Sequence, residues 1–145
     1  MASCAILLAL SSCASLQRSS DQGAVKDVAE LINAGQVQKL AAMSETPFLV
    51  DQEIVSLKAD VESFWNGVVK AGFRVQGAAL EEAVPADAAS YAQFANTFEV
   101  KSFFSNYVQK GSRVLRMSTS GGKHILLLVK SDWFSKKLIG FKGPF

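Results

Sequence analysis

The chain carries few side chains able to do chemistry. His124 is its one histidine, so an HExxH metal site, or any site that needs two histidines from one chain, is impossible, and a serine triad has only this residue to complete it. It stands at the start of an extended segment beside a turn, the ordinary place of a partly exposed strand residue. Ser120-Gly121-Gly122-Lys123 has the Ser-x-x-Lys spacing in which a lysine activates a serine nucleophile, but that chemistry places the pair on a helix. With two glycines at its centre the tetrapeptide reads as a hairpin turn. The same glycines lack the GxxxxGK[ST] spacing and the following helix of a phosphate loop. Both cysteines, Cys4 and Cys13, lie near the N-terminus, which leaves the body from Ser15 to Phe145 without an internal disulfide, a thiolate zinc site or a cysteine nucleophile. No metal and no cofactor is expected. The densest remaining set is aromatic: Tyr91, Phe94, Phe98, Phe103, Phe104 and Tyr107, which at helical spacing would ordinarily fill a core.

The elements that must position these residues follow from periodicity. The 145 residues are 49% apolar and 19% charged with a net charge of +2, the composition of one globular domain that buries enough surface to need no metal or disulfide. No run approaches the ~20 apolar residues of a spanning helix. From Asp21 to Ala34, Val25, Val28, Leu31 and Ile32 recur at helical steps and Gly35 follows as a stop. A shorter helical piece carries Val37, Leu40 and Ala41, and Pro47 interrupts it. Phe48, Leu49 and Val50 form a short buried segment. A long amphipathic helix is expected from Asp51, its stripe being Ile54, Leu57, Val61, Phe64, Trp65 and Val68, with Asp51 and Glu53 in the first turn and Gly72 at the end. Phe73 to Gln76 suits a strand, and Gly77 to Ala89 is unassigned. Tyr91 to Val108 has helical period, split in two by Asn96 as a fresh N-cap with Glu99 behind it. After Gly111 the period changes. Arg113 to Ser118, Lys123 to Lys130 and Lys137 to Gly143 are extended, and their short connections demand antiparallel neighbours. Ile125 to Val129 is apolar at successive positions, as in a central strand covered on both faces.

The first twenty residues differ in kind. Ala5 to Leu10 is an uninterrupted apolar run, followed by Ser11, Ser12, Cys13, Ala14 and Ser15, an order that resembles an export signal. Leu10-Ser11-Ser12-Cys13 resembles the lipobox of bacterial lipoproteins, in which the cysteine receives lipid and becomes the mature N-terminus. That resemblance implies Cys13 as the anchor, Ala14 to Asp21 as a flexible polar linker, and a chain exported and held on a membrane of the bacterial envelope. Residues 1–20 are accordingly assigned to signal and linker, and 21–145 to the folded domain.

A helix pair, a short extended segment at Pro47-Phe48-Leu49-Val50-Asp51, a long amphipathic helix and a closing antiparallel meander resemble the NTF2-like, cystatin-related architecture. The likeness is one of element order over Asp21 to Phe145. It implies an α+β fold in which helices, one of them long, pack on a curved antiparallel sheet to make a cone with an apolar mouth. Such a scaffold hosts unrelated activities, so function must come from a site. Relatives of the ketosteroid-isomerase type move a proton with a carboxylate and steady the enolate with a tyrosine hydroxyl in a dry cavity; here the residues are Asp60 or Asp51 as base and Tyr91 or Tyr107 as donor. Asp60, one position before Val61, points off its stripe, and Asp51 is better explained as a helix-terminal charge. The other use of a cone is to hold an apolar ligand, with Phe94, Phe98, Phe103, Phe104, Tyr107 and Trp133 as lining.

Charge is unevenly spread. Arg18 to Glu99 holds 6 basic and 12 acidic residues, whereas Val100 to Phe145 holds 9 basic residues and only Asp132. A basic sheet half would orient the molecule toward an anionic surface such as lipid headgroups; the plainer account is solvated edge lysines. A net charge of +2 argues against a nucleic-acid footprint. The expectation is an exported, lipid-anchored, non-catalytic binding or interaction module, with membrane, an apolar small ligand or an envelope protein as partner, and a proton-transfer enzyme as the alternative.

Overall fold

The computed structural model describes the backbone of residues 7–131 and 135–145, and the side chains of 13–130 and 135–145 within it. Trp133, Cys4 and the start of the apolar run at Ala5 and Ile6 lie outside the described residues. Val25, Val28, Ala29 and Ile32 form the buried stripe of α1 (Leu7–Asn33), and α2 (Val37–Met43) buries Leu40 and Ala41. Between them the backbone reverses at Gly35, with φ at 65°, the left-handed geometry that suits glycine after a helix. There follow β1 (Ser44–Val50), β2 (Glu53–Val55), α3 (Lys58–Lys70), β3 (Ala79–Pro85), a 3-10 turn (Ser90–Gln93), α4 (Phe98–Tyr107), β4 (Arg113–Ser118), β5 (His124–Ser131) and β6 (Lys136–Lys142).

The strands make one curved, unclosed six-stranded sheet in the order β2-β1-β6-β5-β4-β3. The fold is α+β. The expected β4-β5-β6 meander is antiparallel throughout, but the sheet is mixed, because β1 pairs with β6 in parallel. No short connection joins those two strands, so nothing in the chain forces them to run in opposite directions.

The two faces of the sheet carry two cores. On one, Leu115, Met117, Ile125, Leu127 and Val129 meet α1, α2 and α3 around Trp65, with Phe48, Phe64 and Phe141 beside it. On the other, Leu49, Val114, Leu126, Leu128 and Ile139 meet Phe94, Val100, Phe103 and Phe104 from the 3-10 turn and α4. The alternation along Ile125 to Val129 is the two-residue period of a strand, and both phases are buried. Polar groups carried into the first core are satisfied: Trp65 Nε1–H donates to Ser44 Oγ at 3.0 Å, and Ser44 Oγ–H donates to Leu40 O at 2.7 Å.

Several sequence expectations are corrected. The third helix starts at Lys58, not Asp51. Asp51 sits at φ 52° in the two-residue turn between β1 and β2, and its Oδ1 accepts the Gly143 N–H at 2.9 Å, so it caps no helix. Ile54 lies in β2 and Leu57, 64% exposed, is the N-cap. Phe73 to Gln76 is not a strand. Its Val75 pairs with a side chain instead: Val75 N–H donates to Asn33 Oδ1, and Asn33 Nδ2–H donates to Val75 O, both at 2.7 Å. The unassigned segment supplies β3. Tyr91 to Val108 is split as expected, but Thr97 is the cap, its Oγ1 accepting from Val100 N–H at 3.3 Å, and not Asn96. Ala14 to Asp21 continues α1 as helix rather than a flexible spacer.

Candidate functional site

The proton-transfer candidates are not brought together. Asp60 is exposed in the first turn of α3, on the side of the sheet that packs Trp65. Tyr91 packs against the opposite core, and Tyr107, 49% exposed, ends α4 on that same side. The sheet lies between carboxylate and hydroxyls. Asp51 is committed to Gly143. Asp87, in the turn before the 3-10 helix, has its carboxyl held below the usual range by the Ser90 hydroxyl first and the Ala89 N–H second, a local turn that touches none of these groups.

The aromatic set divides. Phe94, Phe103 and Phe104 are 3%, 1% and 1% exposed, their rings meeting tilted at a centroid separation of 5.6 Å (Phe94 to Phe104) and edge-on at 6.0 Å (Phe103 to Phe104). They fill the second core and line no ligand cavity among the described residues. Phe98 is 81% exposed on the outside of α4. Tyr107 borders a hollow of about 80 Å³ beside Pro47 and Lys130, well under the roughly 300 Å³ at which ligand pockets begin.

Part of the charge asymmetry is answered inside the molecule, by three acidic residues of the first stretch and four basic residues of the second. Asp21 is fully buried, and its carboxylate accepts from Arg113 Nε–H at 2.8 Å, Lys136 Nζ at 2.5 Å and Gln17 Nε2–H at 3.1 Å. This joins α1 to β4 and to the first residue of β6. Glu45 pairs with Lys130 at 2.9 Å, and Glu81 lies 3.1 Å from Arg116 Nε and 3.0 Å from His124 Nδ1. In each pair the acid comes from the acidic half and the cation from the basic half. Two further lysines cap carbonyls: Lys142 bonds Gln93 O and Phe94 O, and Lys137 bonds Ala42 O.

One concave surface carries two cations that are in no ion pair among the described residues. A cleft of about 380 Å³ is formed where three segments meet: Phe73, Arg74 and Gln76 after α3, Thr119 to Gly121 and Lys123 from the β4–β5 turn, and Pro144 beyond β6. Among the described residues no acidic side chain lines it. Among the described residues neither Arg74 nor Lys123 forms an ion pair; Arg74 Nη1–H donates only to the neighbouring Phe73 O at 2.8 Å. The segments are pinned together. Ser120 N–H donates to Gln76 O at 2.8 Å, and His124 and Phe145 exchange both backbone bonds at 3.0 and 3.1 Å. Gly77, at φ 61°, permits the closest approach, since a Cβ there would stand 2.9 Å from Ser120 Cβ. A second concavity of about 250 Å³ also holds two lysines, but Lys58 is bound to Ala41 O and Ser44 O and Lys137 to Ala42 O.

No family model, curated protein or solved structure matches this chain. The site is therefore judged on its own geometry: an open, preformed, cationic recess with an aromatic wall, able to hold a ligand and without a paired acid and base. The sequence singles out Ser120-Gly121-Gly122-Lys123 as a turn, which it is, but not as a wall of a cleft. Arg74 and Lys123 do share a legible trait, each being a basic residue close behind a glycine and far from any acidic neighbour in sequence.

At the other end of the chain, Cys13 is exposed with its sulfur free. Residues 13–20 are all exposed, and Asp21 is the first buried side chain among those described. No described helix is long and apolar enough to cross a membrane.

Proposed function

We propose that this chain is a small binding or interaction module without catalysis of its own, tethered to a membrane of the bacterial envelope through lipid on Cys13. The observation that carries the binding reading is the sheet that separates Asp60 from Tyr91 and Tyr107, while the cleft at Arg74 and Lys123 has no carboxylate or histidine in its lining among the described residues. A dry acid–base pair is what the proton-transfer alternative requires, so the separation of Asp60 from the two tyrosines favours the binding reading. The tether draws support from exposure: Cys13 and residues 14–20 are all exposed, and an exposed cysteine is open to acylation. The exposed helical turns before Asp21 would act as a short stalk. The architecture itself we read as NTF2-like, on the order of helix pair, short hairpin, third helix and closing meander.

The tether is tested by growing bacteria that express the full chain with labelled palmitate. Label in the native chain that is lost in Cys13→Ala, with a shift from the membrane to the soluble fraction, is the expected result. Equal labelling of both would overturn it. The binding reading is tested at the cleft, as follows.

A further inference from the structure

Resting on that binding reading, we infer that the cleft between Arg74 and Lys123 receives a phosphate group whose substituent lies along Phe73 and Pro144. Arg74 and Lys123, from segments far apart in sequence, line one recess whose lining among the described residues includes no acidic side chain. Like charges gathered without a counter-charge repel one another, and an anion placed between them turns that repulsion into two charge-assisted contacts. Of the other cationic pairs described above, Arg113 and Lys136 meet the Asp21 carboxylate, and Lys58 and Lys137 donate to carbonyls of other segments, whereas Arg74 donates to the carbonyl of its own neighbour Phe73 and Lys123 is in no ion pair among the described residues.

The shape agrees with the charge. Arg74 presents a planar fork suited to two phosphate oxygens, and Lys123 a point charge. Ser120 adds a hydroxyl-bearing residue to the lining, while the Thr119 hydroxyl is held by Lys123 O at 3.1 Å, and Phe73 and Pro144 offer apolar walls. A volume of about 380 Å³ suffices for a phosphate bearing one ring or the start of an acyl glycerol, within the roughly 300–1,000 Å³ of ordinary ligand sites. The pinned backbones of Gln76, Ser120 and His124 mean that little must be ordered when the ligand arrives. The shared chemistry has two sources, a soluble organic phosphate or the headgroup of an anionic lipid next to the tether.

The experiment is calorimetric titration of the unlipidated full chain with phenyl phosphate and, separately, with neutral benzyl alcohol, alongside co-sedimentation with phosphatidylglycerol and phosphatidylcholine vesicles. Saturable binding of phenyl phosphate is expected, at least tenfold weaker in the double variant Arg74→Gln/Lys123→Gln, retained in Lys123→Arg, and weakened by salt as exposed charges are screened. Both residues are exposed, and circular dichroism of each variant checks that it is folded. Phosphatidylglycerol vesicles that capture the chain and compete with phenyl phosphate would name a lipid as the source; phenyl phosphate binding without such capture would name a soluble ligand. Equal binding of benzyl alcohol and phenyl phosphate, unchanged in the double variant, would overturn the phosphate assignment and leave the cleft a binding site. No binding of either compound or either vesicle would overturn both.

Discussion

Arg113 with Lys136, and Arg74 with Lys123, are each a pair of cations drawn from distant parts of the chain, and they differ in what answers them. The first pair closes on Asp21, a carboxylate with no exposed surface, and so fastens α1 to the sheet. The second pair borders open space. A buried carboxylate survives desolvation only when its partners are in place, which makes the Asp21 cluster a structural device that binds nothing further. Exposed cations without a partner contribute little to holding a fold, so the cleft is where the molecule can spend charge on something outside itself. The contrast also accounts for the lopsided sequence: acidic N-terminal and basic C-terminal residues meet across the fold as Asp21–Arg113, Glu45–Lys130 and Glu81–Arg116.

The comparison can be broken most severely at Asp21. Asp21→Ala leaves two partly buried cations unanswered, and urea unfolding should show a loss of about 3–5 kcal/mol, the size found when one partner of a buried pair is removed. A loss under 1 kcal/mol would mean that the cluster is solvated and resembles the cleft after all. At Gly77, Ala must adopt a left-handed backbone and place its Cβ against Ser120. A cost of about 1–2 kcal/mol is expected from the backbone alone, together with weaker phenyl phosphate binding as the wall shifts. The smallest change in stability belongs to Arg74→Gln/Lys123→Gln, within about 0.5 kcal/mol of the native chain, as for surface positions without structural partners. A larger loss would move Arg74 and Lys123 into the same class as Arg113 and Lys136.

How far the sequence discloses this molecule depends on how local the determining contacts are. Val25, Val28 and Ile32 announce α1, and Ile125 to Val129 announces a strand buried on both faces, because burial imposes its period directly on the residues. Asp51 misleads because Asp51-Gln52 lacks the glycine that usually marks a two-residue hairpin, while Ile54 and Leu57 happen to continue the helical spacing of Val61, Phe64 and Trp65. Aspartate tolerates the left-handed turn nonetheless. Phe73 to Gln76 has the composition of a strand, but its ladder partner is the Asn33 side-chain amide, 42 residues away. The parallel β1–β6 pair is equally remote. Phe94, Phe103 and Phe104 take the ordinary role of aromatics at helical spacing and fill a core. The cleft escapes notice because the trait Arg74 and Lys123 share, a basic residue close behind a glycine, says nothing of proximity until the sheet brings the segment after α3, the β4–β5 turn and the end of β6 to one place.

The most direct test is an amide chemical-shift titration of the full chain with phenyl phosphate. The account predicts saturable shifts concentrated at Arg74, Gln76, Thr119 to Lys123 and Phe145, with Arg113, Lys136 and the amides around Asp21 unmoved. Shifts centred on the Asp21 cluster or on α4, or none at any residue, would contradict it.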